Sequence, residues 1–169
     1  MRLDGEYYIR DVLELAPTLI GKALVRVFPG GEIRKYLITE VEAYRGEEDL
    51  ACHAAKGRTD RTKIMYNRGG YLYVYLIYGM YWMLNIVSSV ENTPQAVLIR
   101  GVQGISGPGK LTKQLQIDKS FYGESLMNSQ RIWVEVTGEN VDYYTTPRIN
   151  IDYAGEEWAG KKWRFIGKM

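Results

Sequence analysis

The chain has 169 residues, with Lys+Arg 22 against Asp+Glu 20 and a formal net charge of +2. A hydrophobic share of 46% and a charged share of 25% are those of a globular protein able to bury one full core. A single Cys and a single His exclude an internal disulfide framework, a Cys/His zinc site built by one chain, and any mechanism needing two histidines.

The first residues, MRLDGEYY, show no apolar stretch and no small-residue cleavage pattern, so no secretory signal is expected. Asp11-Val-Leu-Glu-Leu15 predicts a short helix capped by Asp11 and disturbed by Pro17. Ala23 to Phe28 and Glu32 to Tyr44 predict a strand and a long return strand, joined at Pro29-Gly30-Gly31 as a hairpin. On that return strand Ile38, Glu40, Glu42 and Tyr44 are expected on one face, and Thr39, Val41 and Ala43 on the other. Two carboxylates about 7 Å apart on a core strand are costly if buried. Either they form a salt-bridged exposed pair, or one of them is a general base that takes a proton from water.

Glu47 to Ala55 and Arg58 to Tyr66 predict loops or short helical turns. His53 follows Glu47-Glu48-Asp49 closely, which predicts a ring whose charge those acids tune; Cys52 reads as a small buried filler. Lys56 to Arg68 holds five basic residues (Lys56, Arg58, Arg61, Lys63, Arg68) against Asp60 alone. That is either a solvated loop or a phosphate-contacting surface.

Gly69 to Val90 runs 22 residues without a charge, long enough to span a bilayer. Five tyrosines (71, 73, 75, 78, 81) spread through it, and Gly79 and Asn85 interrupt it, so a pair of buried strands, Tyr71–Ile77 and Tyr81–Ser88, is expected instead. Tyr71, Tyr73 and Tyr75 take one face, and Leu72, Val74 and Leu76 the other. The reversal at Tyr78-Gly79-Met80 sets two bulky side chains at a tip where small polar residues are the rule. Such a tip either tucks back onto the core or pushes into something flat and apolar, such as a base stack.

Ala96 to Arg100 predicts a third short strand, with Arg100 able to pair with a carboxylate across the sheet. Ser106-Gly107-Pro-Gly-Lys110 opens a helix to about Ile117, and its free amides suit a phosphate. Ile132–Val136 and Trp163–Ile166 complete the strands. The pattern predicts one α+β domain over residues 1–169. Its sheet is curved and mostly antiparallel, with short surrounding helices and a protruding Tyr-rich hairpin.

Eight segments then fall in order along nearly the whole chain: Leu19-Ile-Gly-Lys22, Thr39-Glu-Val-Glu-Ala-Tyr44, Ala51-Cys-His53, Leu72-Tyr-Val-Tyr-Leu-Ile-Tyr-Gly-Met-Tyr81 with Asn85, Val97-Leu-Ile-Arg100, Ser106-Gly-Pro-Gly-Lys-Leu111, Arg148-Ile-Asn-Ile151 and Trp163-Arg-Phe165. In these the chain resembles the alkyladenine (3-methyladenine, methylpurine) DNA glycosylases. The resemblance implies a monofunctional DNA glycosylase that flips a damaged purine, alkylated or deaminated, from duplex DNA and hydrolyses its N-glycosidic bond. It implies Glu42 as the general base, with Arg100 and the backbone carbonyl of Ile149 helping to hold the water. Tyr44, His53 and Tyr75 would wall the base, and Asn85 would crowd the exocyclic amine of guanine. Tyr78 would enter the duplex beside Met80. Lys56, Arg58, Arg61, Lys63, Ser106, Gly107 and Lys110 would meet the DNA backbone. Neither metal nor cofactor is implied. The partner is double-stranded DNA with damaged purines, not a membrane, and the expected state is a monomer in the cytoplasm (on the nucleoid in a prokaryote, in the nucleus of a eukaryote).

Two departures stand out. Only five residues separate Arg100 from Ser106, where members of the family carry a longer insert, and Asn150 stands where Gly is common. Glu156-Glu157 reads as a one-residue loop addition. Two rival readings remain: a DNA-distorting module without chemistry, and a carbohydrate-acting glycosidase using Glu40 and Glu42 as its carboxylate pair.

Overall fold

The computed structural model describes residues 1–169. In chain order the elements are α1 (Val12–Leu19), β1 (Ala23–Val27), β2 (Ile33–Arg45), β3 (Leu72–Ile77), β4 (Tyr81–Ser88), β5 (Gln95–Val102), β6 (Ile105–Ser106), α2 (Pro108–Gln114), β7 (Ile132–Glu135), β8 (Tyr143–Thr146), α3 (Glu156–Ala159) and β9 (Arg164–Gly167). All strand pairings are antiparallel, in the order β3-β4-β5-β2-β1-β7, with β6 beside β5, β9 beside β2, and β8 beside β9. The sheet is open and curved and the helices are few and short, the α+β architecture expected. The uncharged stretch from Gly69 to Val90 forms the β3–β4 pair, and no helix is long and apolar enough to cross a membrane.

Several boundaries differ from the sequence reading. Helix α1, capped by the Asp11 carboxylate accepting from the Leu13 amide, runs past Pro17 to Leu19. Its buried residues Val12, Leu15, Ala16 and Leu19 keep helical spacing, so core packing sustains it through the proline. Helix α2 stops at Gln114, short of Ile117. Strand β8 and the single turn of α3 carry no counterpart in the expected elements, and Glu156-Glu157 opens α3 rather than lengthening a loop.

The ladder register positions the site. Directly opposed residues share a face. Across β3, β4, β5, β2 and β9 the opposed sets Tyr75/Met83, Tyr73/Asn85/Leu98 and Glu42/Leu98/Arg164 therefore project together on one side. The alternate residues Leu72, Val74, Leu84, Ile86, Val97, Ile99, Val41, Ala43 and Phe165 form the main core, beneath α1. The expected alternation breaks at one place: Ile38 joins Val41 and Ala43 in that core instead of siding with Glu40 and Glu42. Register shifts flank Glu40, which faces Gly101 while Val41 faces Ile99, so Arg100 has no partner of its own. This bulge turns the strand over between Ile38 and Glu40 and gives Arg100 freedom to reach toward the carboxylates.

Candidate active site

Glu42 lies in the middle of the sheet, with β5 on one side and β9 on the other, and is 0% exposed. One carboxylate oxygen accepts from the Tyr44 hydroxyl at 2.8 Å, and the other from the Ile149 amide at 2.7 Å. Arg100 Nη1 is 3.7 Å away. Burial raises the Glu42 carboxyl above the ordinary carboxylate range, opposed by Arg100, the Ile149 amide and the Tyr44 hydroxyl. A buried carboxylate held by two donors and one cation is a stronger base than one in water, and its geometry is fixed. Glu40 plays a different part. It accepts from Arg100 Nε at 3.0 Å and Arg164 Nε at 2.8 Å, which accounts for its charge and leaves Arg100 spanning both acids.

Beside Glu42 opens a cleft of about 1030 Å³; the carboxylate does not line it and meets it through Tyr44, Arg100 and Ile149, which do. Tyr44, His53, Tyr75, Arg100 and Ile149 line it, together with Tyr78 and Tyr81 from the β3–β4 hairpin. Asn85 sits deeper, in a void of about 40 Å³ that it shares with Tyr44, His53 and Tyr75, and its amide donates to the Tyr73 carbonyl at 3.2 Å. His53 packs edge-on to Tyr75, ring centroids 4.4 Å apart, and its Nδ1 is 2.7 Å from the Tyr73 hydroxyl. Burial, with Arg61 and Lys56 nearby, lowers the His53 pKa to about 4, so the ring is neutral. The expected tuning by acids is overturned. Glu47 takes the Tyr66 hydroxyl, Glu48 pairs with Arg45, and Asp49 is bound to Arg148. Cys52 is buried and its thiol is pushed up to about 11, the inert filler expected.

Two guanidinium groups lie over aromatic rings of the site. Arg148 lies 4.9 Å from the Tyr44 ring centroid, and Arg61 4.9 Å from that of Tyr75.

The Ile149 amide engages Glu42, a contact beyond the expected role of its carbonyl. Asn150 adopts φ 60, the left-handed backbone a glycine would take, and Asn tolerates it, so the loop keeps its turn without Gly. The short link after Arg100 closes as a tight hairpin, Val102 opposite Ile105 and Gly101 opposite Ser106. Gly107 then donates its amide to the Arg100 carbonyl at 3.0 Å, so that N–H is not free for a phosphate. The first-turn amides of Gly109 and Lys110 lack helical partners.

At the hairpin tip Tyr78 is 77% exposed and Met80 63% exposed, so the tip is not tucked onto the core. Of the basic set, Lys56, Arg61 and Lys110 line the cleft. Arg58 stacks on Tyr66 outside it, Lys63 lies on the surface beyond it, and Ser106 and Gly107 do not line it. Arg68 is drawn away by an ion pair with Glu6. Sequence reasoning missed Lys113 and Tyr153, both on the cleft, and the Asp49–Arg148 pair behind it. Lys113 was within reach, three residues beyond Lys110 on one helix face; the others have no local signature.

The family model for methylpurine-DNA glycosylase matches residues 6–106 and 103–169. Among similar curated proteins, one from Natranaerobius thermophilus is 41% identical, covering 98% of this chain and 94% of its own length. One from Borreliella afzelii is 44% identical over 96% of this chain and 94% of its own, and one from Rickettsia felis 44% over 97% and 92%. All three carry the name "Putative 3-methyladenine DNA glycosylase".

Proposed function

Since the chain belongs to the methylpurine-DNA glycosylase family, and is thus a DNA-repair hydrolase, we propose that it extrudes a damaged purine into the tyrosine-lined cleft and hydrolyses its N-glycosidic bond with a water activated by Glu42. The observation that carries this reading is Glu42 itself: an acid with no solvent exposure, fixed by Tyr44 and Ile149, beside a slot walled by Tyr44, His53 and Tyr75. Water oxygen bonds to the sugar C1′ and its proton passes to Glu42. The C1′–N bond breaks and its electron pair leaves with the base. An alkylated purine already carries the positive charge that this pair neutralises, so it needs little acid assistance. The ionised side chain also offsets charge on the oxocarbenium-like sugar. A damaged base costs less to unstack than a normal one. The neutral His53 offers a ring nitrogen to the base, and Asn85 narrows the floor of the slot.

The rival carbohydrate reading loses its second acid, because Glu40 is committed to Arg100 and Arg164. The test is incubation with duplexes carrying 3-methyladenine, 7-methylguanine, hypoxanthine or ethenoadenine, then alkali to cut abasic sites. Wild-type release with none from Glu42→Gln is expected. Release by Glu42→Gln at the wild-type rate would remove Glu42 from the role of base.

A further inference from the structure

Behind the site lies an ion pair that no step above uses. Arg148 and Asp49 are both without side-chain exposure and meet through two contacts, Nη1 to Oδ2 at 2.6 Å and Nη2 to Oδ1 at 3.0 Å. Arg148 also donates to the Ala43 carbonyl at 3.0 Å, between Glu42 and Tyr44 on β2, and to the Trp158 carbonyl of α3 at 3.2 Å. Asp49 accepts the amides of Arg45 at 2.9 Å and Ala51 at 3.0 Å, the latter two residues before His53. The residue after Arg148 is Ile149, whose amide holds Glu42. Two stretches distant in sequence, residues 43–51 and 148–158, therefore converge on one buried pair.

We propose that the Arg148–Asp49 pair is the positioning device of the site, seating the Ile149 amide on Glu42 while fixing the ends of the Tyr44 and His53 segments. The inference rests on the glycosylase reading and assigns to the pair no contact with substrate. A buried pair is weak grounds for a stability role, since apolar replacements of such pairs are often as stable; fixing a geometry is the better-attested use. The groups facing Glu42 are Tyr44 on β2, Arg100 on β5, Tyr75 on β3, and Arg148 and Tyr153 from the C-terminal segment. The Ile149 amide that holds Glu42 belongs to the residue next to Arg148, on the backbone that Arg148 anchors.

The experiment is single-turnover base release across pH for the wild type, Arg148→Lys and Asp49→Asn, with binding to a duplex holding an abasic analogue and thermal melting alongside. Arg148→Lys keeps the charge and loses the two-pronged clasp. Displacing the Ile149 amide withdraws a donor from the carboxylate, so Glu42 takes a proton more readily and the acidic limb of the rate profile moves to higher pH. The neutral-pH rate falls about 100-fold, the scale of a misplacement of about 1 Å, while abasic-duplex affinity is unchanged. A folded Arg148→Lys with an unmoved limb or an unaltered rate overturns the proposal. Should that variant not fold, Asp49→Asn carries the same comparison, and loss of fold in both assigns the pair to folding alone and overturns it. A wild-type chain that releases no base overturns the glycosylase reading together with this one; wild-type release with an unmoved limb overturns only this one.

Discussion

At Glu42 burial works against charge, and this fixes the sign of two pH effects. The folded-state pKa is raised, so the native state holds its proton more tightly than the unfolded chain does. Keeping Glu42 ionised at neutral pH thus costs stability, and acidification relieves that cost. Glu42→Gln is expected to melt higher than the wild type at pH 7 while losing on the order of 10²–10⁴ in base release, with lesion-duplex binding intact. A lower melting temperature would mean that the carboxylate contributes net stability. His53 acts oppositely. With its folded pKa depressed to about 4 from 6.5, its contribution is full above pH 6.5 and is lost as pH falls toward 4. Melting followed between pH 7 and pH 4 should show this loss, and His53→Gln should flatten the curve in that window; an unchanged slope would count against a buried neutral ring. The residues bearing these roles were legible because each has a distinctive type on a patterned strand. The Ile149 amide was not, since a backbone donor leaves no trace in the sequence, nor was the partner of Asp49, 99 residues away.

Among the elements, the β3–β4 hairpin combines strain with exposure. Tyr78 and Gly79 both take positive φ, 55 and 66, the geometry of a tight reversal. For a tyrosine that conformation costs about 1–3 kcal/mol, and its ring, out in solvent, gains nothing from the core in return. Tyr78→Gly is therefore expected to stabilise the fold by about 1 kcal/mol and to weaken binding to flipped-lesion and abasic duplexes alike. Calorimetry paired with binding measures both, and unaltered affinity would place the tip outside the DNA. Next to its tip, where Tyr81 opposes Ile77, the same hairpin is held by close approach. A Cβ at Gly109 would lie 2.7 Å from the Tyr81 ring, so Gly109→Ala forces hairpin and α2 apart, with a loss of about 1–3 kcal/mol seen in chemical denaturation. An undisturbed midpoint would mean that the ring moves freely aside. The strands of this hairpin followed from alternating tyrosines and aliphatics. Strand β8 was there to be read in Tyr143-Tyr-Thr-Thr146, a β-favouring run ended by Pro147. The bulge at Glu40 was not, because pairing across strands, rather than local composition, creates it.

For the whole molecule, a net charge of +2 offers a polyanion little, yet Lys56, Arg61, Lys110 and Lys113 gather on one opening. If each meets a phosphate, log K against log salt should fall with a slope of about −3 to −4. Titrating duplex affinity between 50 and 200 mM salt, roughly the range over which such contacts weaken, checks it, and a flat response would move the contact surface elsewhere. The open α+β sheet was readable from strands spaced along the chain, whereas the order in which they lie was not, since β2, besides its local hairpin with β1, is joined to β5 and β9 by pairings distant in sequence. That triple engagement divides the protein mechanically. Amides around Glu42, hydrogen-bonded into neighbours on both flanks, can meet deuterium only when the molecule comes apart as a unit, while those near Tyr78 exchange by local fraying at the rim. The hairpin rim is thus the part of the molecule that can yield, and the strand bearing Glu42 the part that cannot.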